Sequence, residues 1–247
     1  MEWRDEGILI AARRHGESSA IVEVFTAGHG RHAGVVRGGA GRRMAPVLQP
    51  GARLSLEWSA RLEEHIGTFR VDPMPSRTAV IMADPAALAA LAAMTALLAA
   101  TLPERDAHPA LYARSLELVE ALGALPDWPA RYALWELALL GELGFGLELD
   151  RCAVTGDTDG LVWVSPRSGR AVGREAGAPW ADRLLPLPDF LRGWDRPPPR
   201  AAVLQALALT GHFLEARVAP GLSREVLPPA RSRAVDAIRR SAALGED

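Results

Sequence analysis

Residues 31–53, RHAGVVRGGAGRRMAPVLQPGAR, carry Arg31, Arg37, Arg42, Arg43 and Arg53 without a single acid, and Gly34, Gly38, Gly39 and Gly41 are interleaved. Glycine lets a backbone approach a phosphate closely and adopt positive φ, while a guanidinium pairs with phosphate oxygens through a planar fork of donors. The combination suits the phosphate backbone of nucleic acid, where such contacts fix position without reading sequence. Arg13 and Arg14, followed by His15, extend the same expectation. The competing reading is a mobile, solvated hairpin loop whose arginines share no face.

Other chemistry is poorly supported. Gly28-His29-Gly30 and Gly38-Gly39-Ala40-Gly41 do not match GxGxxG before a helix, and a chain without lysine has no GxxxxGK[ST] loop. His29 and His32 have HxxH spacing on an expected turn with no third ligand, so they read as surface histidines. GxSxG and HExxH are absent, and Glu63 and Glu64 beside His65 read as an exposed strand edge or turn. Cys152 is the only cysteine. It sits in Cys-Ala-Val-Thr155, with Gly173-Arg-Glu-Ala176 downstream, where four cysteines at 152, 155, 173 and 176 would make a zinc ribbon. One thiol cannot hold zinc, so no metal and no cofactor are expected. Packing of Val162, Trp163, Val164 and Trp180 is expected to maintain a ribbon-like shape instead.

Arg131, Tyr132, Trp135, Glu136, Leu139 and Leu140 lie at helical spacing. Such a stripe is ordinarily core; part of it, Trp135 and Leu139 with Arg131 at the rim, is also the candidate groove for a partner peptide. From Arg217 to Arg240 six arginines face only Glu225 and Asp236, giving either a second basic patch or the solvated side of a terminal helix.

The elements that must position these residues follow from texture. Apolar or alternating runs at 7–13, 18–26, 30–37, 52–59 and 66–71 are separated by Gly, Ser, His and Pro, so five short strands forming a small barrel are expected. Past Pro75 the pattern becomes helical. Asp84 is a natural N-cap before Pro85 and the Ala/Leu-rich run to Thr101. Further helices fit 109–122, 129–143, 198–217 and 229–240, and residues 150–182 form a turn-rich insertion with one strand at 161–165. The fold class is α+β: a barrel domain over 1–80 and a mainly helical domain over 81–247. A chain of 247 residues buries roughly 70–75% of its unfolded surface and needs no disulfide. Apolar residues at 49% and charged residues at 23% exclude a disordered chain.

The net charge of −2 conceals segmentation: residues 1–80 hold eleven Arg against nine acids, 81–150 three against ten, and 151–247 fourteen against eleven. All 28 basic residues are arginine, which reflects coding bias before recognition. The N-terminus lacks a signal-peptide layout and no run reads as a membrane span, so a cytoplasmic, nucleoid-associated protein without membrane contact is expected.

Several of these pieces together resemble the RecO family of recombination and DNA-repair mediators. They are Trp3-x-Asp5-x-Gly7-Ile8-Leu9, Gly16-Glu17-Ser18, Val24-Phe25-Thr26, Gly30-Arg31, Gly34-Val35-Val36-Arg37-Gly38 and Leu48-Gln49-Pro50-Gly51. Trp135-Glu136-Leu137-Ala138-Leu139-Leu140-Gly141-x-x-Gly144-Phe145, the Cys152 turn and Ser232-Arg233 follow in order. The resemblance implies an N-terminal OB-fold barrel, a helical C-terminal domain and a degenerate zinc-ribbon-like insertion. It also implies binding of single- and double-stranded DNA, strand annealing, and work with RecR and single-stranded DNA-binding protein to load recombinase. Family DNA contacts on the barrel match Arg31, Arg37, Arg42 and Arg43 here.

The expected function is thus a non-enzymatic mediator of DNA repair and recombination. Its barrel would hold DNA through Arg13, Arg14, Arg31, Arg37, Arg42 and Arg43, and its helical domain would bind the acidic C-terminal tail of single-stranded DNA-binding protein. The rival is a protein–protein adaptor whose barrel has no appreciable DNA affinity.

Overall fold

The computed structural model describes residues 1–62, 64–193, 196–223 and 225–241. The chain divides into two compact units, residues 1–124 with 228–234 and residues 125–227 with 235–247.

The first unit is built on a closed five-stranded barrel of order β1-β2-β3-β5-β4, with β1 (Glu2–His15), β2 (Ser19–Thr26), β3 (Gly30–Val36), β4 (Arg53–Ser59) and β5 (Thr68–Pro73). β1 starts five residues earlier than its apolar core predicts, because one strand serves two partners. Its first half pairs with β4, from Glu2 opposite Ser59 to Ile8 opposite Arg53, and its second half pairs with β2, from Gly7 opposite Thr26 to His15 opposite Ser19. The register shifts between Leu9 and Ala11, so Ile10 is an extra residue and the strand bends there. That bend lets β1 run from one sheet edge to the other and close the barrel. Inward-facing Leu9, Val22, Val24, Leu54, Leu56, Trp58 and Phe69 form its core.

Closure between β3 and β5 is parallel and short, limited to Val35 opposite Thr68 and Val36 opposite Phe69. Elsewhere on that edge of β3 another segment takes over: Arg31 bridges to Glu104, and the Arg105 amide donates to the Arg31 carbonyl at 2.8 Å. Gly30 permits this approach, since its φ is +59° and a Cβ there would lie 1.7 Å from the Asp106 carbonyl oxygen.

Three helices complete the unit: α1 (Thr78–Ala83), α2 (Pro85–Thr101) and α3 (Pro109–Ala121). As expected, Asp84 caps α2, its Oδ1 accepting from the Ala86 and Ala87 amides at 2.9 and 3.2 Å. α2 is apolar on nearly all sides and correspondingly buried. The first compact unit therefore takes in these helices as well as the barrel. The reason is tertiary: Tyr112 Oη donates to the Glu6 carbonyl, and Arg53 and Arg77 both reach Glu120 of α3.

The second unit contains α4 (Trp128–Glu142), a small sheet of order β7-β6-β8 from β6 (Leu161–Val164), β7 (Ala171–Gly173) and β8 (Leu185–Pro186), the short α5 (Arg174–Gly177), and α6 (Arg200–Phe213), which runs on into a π-turn at Leu214–Val218. α7 (Pro229–Arg240) contributes its first half to the first unit and its second half to the second. Among the described residues no helix is long and apolar enough to cross a membrane.

Candidate nucleic-acid interface

Arg14 stands opposite Ala20, and Ala20 stands opposite Val36. The end of β1, the start of β2 and the end of β3 are therefore adjacent, and Arg37 follows Val36 directly. The segment after Arg37 is not a free hairpin loop. It is a chain of hydrogen-bonded turns: Gly39 N–H to Val36 O, Gly41 N–H to Gly38 O, Met44 N–H to Gly41 O and Leu48 N–H to Met44 O, all 3.0–3.1 Å. Leu48 is buried, and Met44 and Val47 pack against the barrel core.

Two further contacts fix this segment sideways. The Ala40 amide donates to the Ser18 carbonyl at 2.9 Å, and Gly39 lies so close to β2 that an added Cβ would meet the Ala20 Cβ at 2.9 Å and the Val36 carbonyl oxygen at 3.0 Å. Arg13, Arg14, Arg37, Arg42 and Arg43 are thus brought to one end of the barrel. All five are exposed, and among the described residues none forms an ion pair or a side-chain hydrogen bond. Glu17 is the one carboxylate on these two segments. Five unneutralised cations on a rigid frame produce a local positive potential that a polyanion relieves.

Arg31 leaves the set. Its Nη1 lies 3.0 Å from Glu23 Oε2 and 3.5 Å from Glu104 Oε1, its Nε donates to the Leu102 carbonyl at 3.0 Å, and its side chain is only 16% exposed. It fastens the 102–106 segment to β3, with its Nε and Nη1 already engaged. Arg53 is likewise held, by Glu6 and Glu120. The acid-free run in sequence is therefore not acid-free in space.

The aromatic residues of the barrel are structural. Phe25, Trp58 and Phe69 are at most 3% exposed. The two histidines differ: His29 is partly exposed, stacks on Trp3 at 3.9 Å, and its Nδ1 pairs with Asp5 at 3.1 Å. His32 is buried, edge-on to Trp3 and Trp58, with neither ring nitrogen hydrogen-bonded. Burial, with the Arg105 and His29 charges, pushes its pKa down to about 4. Among the described residues no group of three or more His, Cys, Asp or Glu is placed to hold a metal. Glu64 and His65 are exposed in a turn, and Glu63 lies outside the described residues.

In the second unit the expected partner groove is corrected. Trp135 is 2% exposed and Leu139 fully buried, so neither lines a surface groove, and Arg131 is tied to Asp127 at 2.9 Å one turn back. The stripe is core. Glu136, also fully buried, accepts from the Thr210 hydroxyl of α6. In the insertion Val164 is buried but Trp180 is 55% exposed, with the Arg183 guanidinium over its ring, so Trp180 is not part of the packing. Cys152 is buried, and its Sγ accepts the Gly173 amide at 3.3 Å. Burial pushes that thiol up, but hydrogen bonds from the Thr155 hydroxyl and the Gly173, Thr155 and Val154 amides outweigh it and bring the pKa down to about 7.

The C-terminal arginines divide: Arg233 and Arg240 are exposed on α7, and the other described ones are held or buried. Arg217 donates to the Arg167 carbonyl, Arg231 is buried, Arg239 pairs with Asp236, and Arg224 lies outside the described residues.

Sequence signals for the framing residues were faint: Ser18 and Gly39 look like ordinary turn residues, and only the closed barrel makes them the fasteners of the arginine loop.

Comparison with known proteins agrees with this architecture. A family model described as recombination protein O N terminal matches residues 1–74, and one described as recombination protein O C terminal matches residues 82–225. A protein of Cereibacter sphaeroides named DNA repair protein RecO is 56% identical over 241 residues, covering 98% of this chain and 100% of its own length. Proteins of the same name from Roseobacter denitrificans, at 55% identity, and Jannaschia sp., at 53%, are covered over 99% of their lengths. With both family models matched in order and relatives aligned end to end, the chain belongs to the RecO family.

Proposed function

We propose that this protein is a non-enzymatic mediator of DNA repair and recombination that binds single- and double-stranded DNA on its barrel and promotes annealing. The observation that carries the reading is the group of five exposed, unpaired arginines, Arg13, Arg14, Arg37, Arg42 and Arg43, at one end of the barrel. Phosphate contacts of this kind are independent of sequence and need no nucleotide hydrolysis. Two strands held on one cationic surface repel each other less, which lowers the barrier to pairing. Membership of a family whose relatives are named DNA repair proteins supports the same role. RecR and single-stranded DNA-binding protein are the partners the family implies; the acidic tail of the latter must dock elsewhere than on Trp135 and Leu139.

The test is a salt titration of DNA binding by fluorescence anisotropy. Five phosphate contacts on a single strand give a slope of log K against log salt of about −3.5, at about −0.7 per contact. Changing Arg37, Arg42 and Arg43 together to Ala brings the slope to about −1.4 and lowers affinity and annealing while circular dichroism stays unchanged. A flat salt response in the unaltered protein, or annealing that survives the triple change, replaces the mediator with the adaptor whose barrel does not engage DNA.

A further inference from the structure

The barrel wall is thinnest between β3 and β5. Only Val35–Thr68 and Val36–Phe69 pair there, and the Val35 amide donates to the Gly67 carbonyl at 3.1 Å. β2, by contrast, is joined to β1 and to β3 over its whole length. On the first half of the β3 edge residues 102–106 stand in for a strand, fastened by Arg31 and by Arg105. The Arg105 amide donates to the Arg31 carbonyl, its Nη2 donates to the His65 carbonyl at 2.9 Å, and its guanidinium lies over the Trp58 ring, 6.0 Å from the centroid. Arg105 does this at a φ of +64°, a left-handed conformation that a side chain other than glycine keeps only where its surroundings impose it.

His32 of β3 shares the Trp58 ring with Arg105. It is buried, its ring edge-on to Trp58 at 4.8 Å, with Trp3 and Phe69 at 5.2 and 6.0 Å between centroids. Among the described residues neither of its ring nitrogens has a hydrogen-bond partner. An aromatic cage of this kind accepts a neutral imidazole and penalises a charged one. Burial first, then the charges of Arg105 and His29, hold its pKa at about 4. The carboxylates nearby are turned to other partners: Asp5 of β1 to His29 at 3.1 Å, Glu23 of β2 to Arg31 at 3.0 Å, Glu57 of β4 to Arg4 and to Arg70 of β5, and Glu104 and Asp106 of the 102–106 segment to Arg31 at 3.5 Å and His108 at 3.8 Å.

Two cations cannot both lean on one ring without repelling each other, and the two groups are not equally free to move. His32 is fixed in the β2–β3 ladder opposite Val24. Arg105 sits on a connecting segment, in a conformation it would leave if its contacts were lost. We infer that residues 102–106 are an acid-sensitive strap: a proton on His32 drives Arg105 off Trp58, the strap lifts from β3, and the barrel opens along the β3–β5 seam while its antiparallel ladders stay paired. Once the strap has lifted, His32 meets water and carries its charge at the ordinary cost of a histidine. Val36, the last residue of the seam, is followed directly by Arg37, so opening loosens the strand end that carries that cation. Protonated His108 acts in the opposite sense, since it faces the Asp106 carboxylate and holds the strap down. The inference does not depend on what the barrel binds.

The experiment is amide hydrogen exchange of the full chain at pH 7.5 and pH 5, corrected for the intrinsic exchange rate. Arg105 and Val35, whose amides close the seam, are compared with the β1–β2 ladder. In the unaltered protein the seam amides are expected to exchange faster than the ladder at both pH values, because they open without global unfolding. With a histidine going from a pKa of about 4 to 6.5 on opening, their exchange is expected to rise roughly thirtyfold at pH 5 over pH 7.5. His32→Phe is expected to abolish that rise, and His32→Gln, also uncharged at both pH values, repeats the test where the larger ring does not pack. Arg105→Gly accepts the positive φ and removes only the guanidinium; its seam is expected to exchange fast already at pH 7.5. Seam amides that exchange at the rate of the ladder overturn the strap, since the barrel then opens only by unfolding. An acid rise that survives in the folded His32 variants overturns it as well, as does an Arg105→Gly seam that stays as protected as in the unaltered protein.

Discussion

The Ala40 amide donates to the Ser18 carbonyl at 2.9 Å, and this single backbone bond joins the turn that follows Arg13 and Arg14 to the segment that carries Arg37, Arg42 and Arg43. Neither residue offers a side chain to a ligand. Together with the register of β1, β2 and β3, their bond holds arginines more than twenty positions apart at one end of the barrel. It works because Gly39, next to Ala40, has no Cβ to hold the segment off β2.

Gly39→Val therefore tests the frame and not the charge. The new side chain meets Ala20, Val36 and Leu48, and overpacking of this kind costs about 1–3 kcal/mol. All five arginines remain, yet the salt slope of DNA binding is expected to become shallower because the turn segment lifts away. Thermal denaturation combined with the salt titration separates the two effects.

Arg31→Ala should behave in the opposite way. Removing a largely buried guanidinium leaves Glu23 facing no cation and frees the 102–106 segment, at a cost of about 2 kcal/mol. Urea denaturation is expected to shift to a lower midpoint while the slope of log K against log salt is unchanged. A slope that falls by a full contact would return Arg31 to the DNA surface.

His32 makes the barrel sensitive to acid. Its pKa is about 4 in the folded protein against 6.5 for an ordinary histidine, so between those values the unfolded chain holds more protons. Its contribution is fully present above pH 6.5 and is lost as pH falls toward 4, by up to about 3 kcal/mol. The pKa of Asp5 is also lowered: burial alone would raise it, but hydrogen bonds from His29, Thr26 and the Glu6 and Gly28 amides prevail. Its stabilising effect is lost at still lower pH. His32→Phe is expected to flatten the decline in stability between pH 6.5 and 4, measured by urea denaturation across that range.

Trp135→Ala and Leu139→Ala are core truncations. Each is expected to destabilise the second unit, by about 3–5 kcal/mol for the first and about 2–5 kcal/mol for the second, seen as loss of near-ultraviolet circular dichroism at moderate urea. Arg131→Ala removes only a partly exposed pair with Asp127 and should change stability by less than about 1 kcal/mol. If Trp135→Ala abolished partner-tail binding in a fully folded protein, the stripe would have to be reopened as a surface.

Much of the architecture was legible because its causes are local. The alternation of β2 and β4, the Asp84-Pro85 start of α2 and the Gly punctuation between strands are written within a few residues of where they act. Cys152 stands alone in the sequence, and the structure holds its thiol with the Gly173 amide and Thr155. Less legible were the early start of β1, since a strand that serves two partners has no distinct periodicity, and α1, whose six residues are too few to display one. The Trp135 stripe was ambiguous for a different reason: spacing marks a face of a helix but does not reveal what covers it.

The amino-acid sequence by itself determined the five barrel strands, the five long helices, the family, and the presence of a strongly cationic stretch around residue 40. Only the tertiary structure decided which of those cations are free. Charge along a chain is counted between neighbours, whereas neutralisation is a matter of distance in space, and Arg31 meets Glu23 from the adjoining strand and the Leu102 carbonyl from 71 residues away. Arg13 and Arg14 meet nothing of the kind at the end of the barrel to which β1 carries them, where Ser18 and Ala40 close the frame.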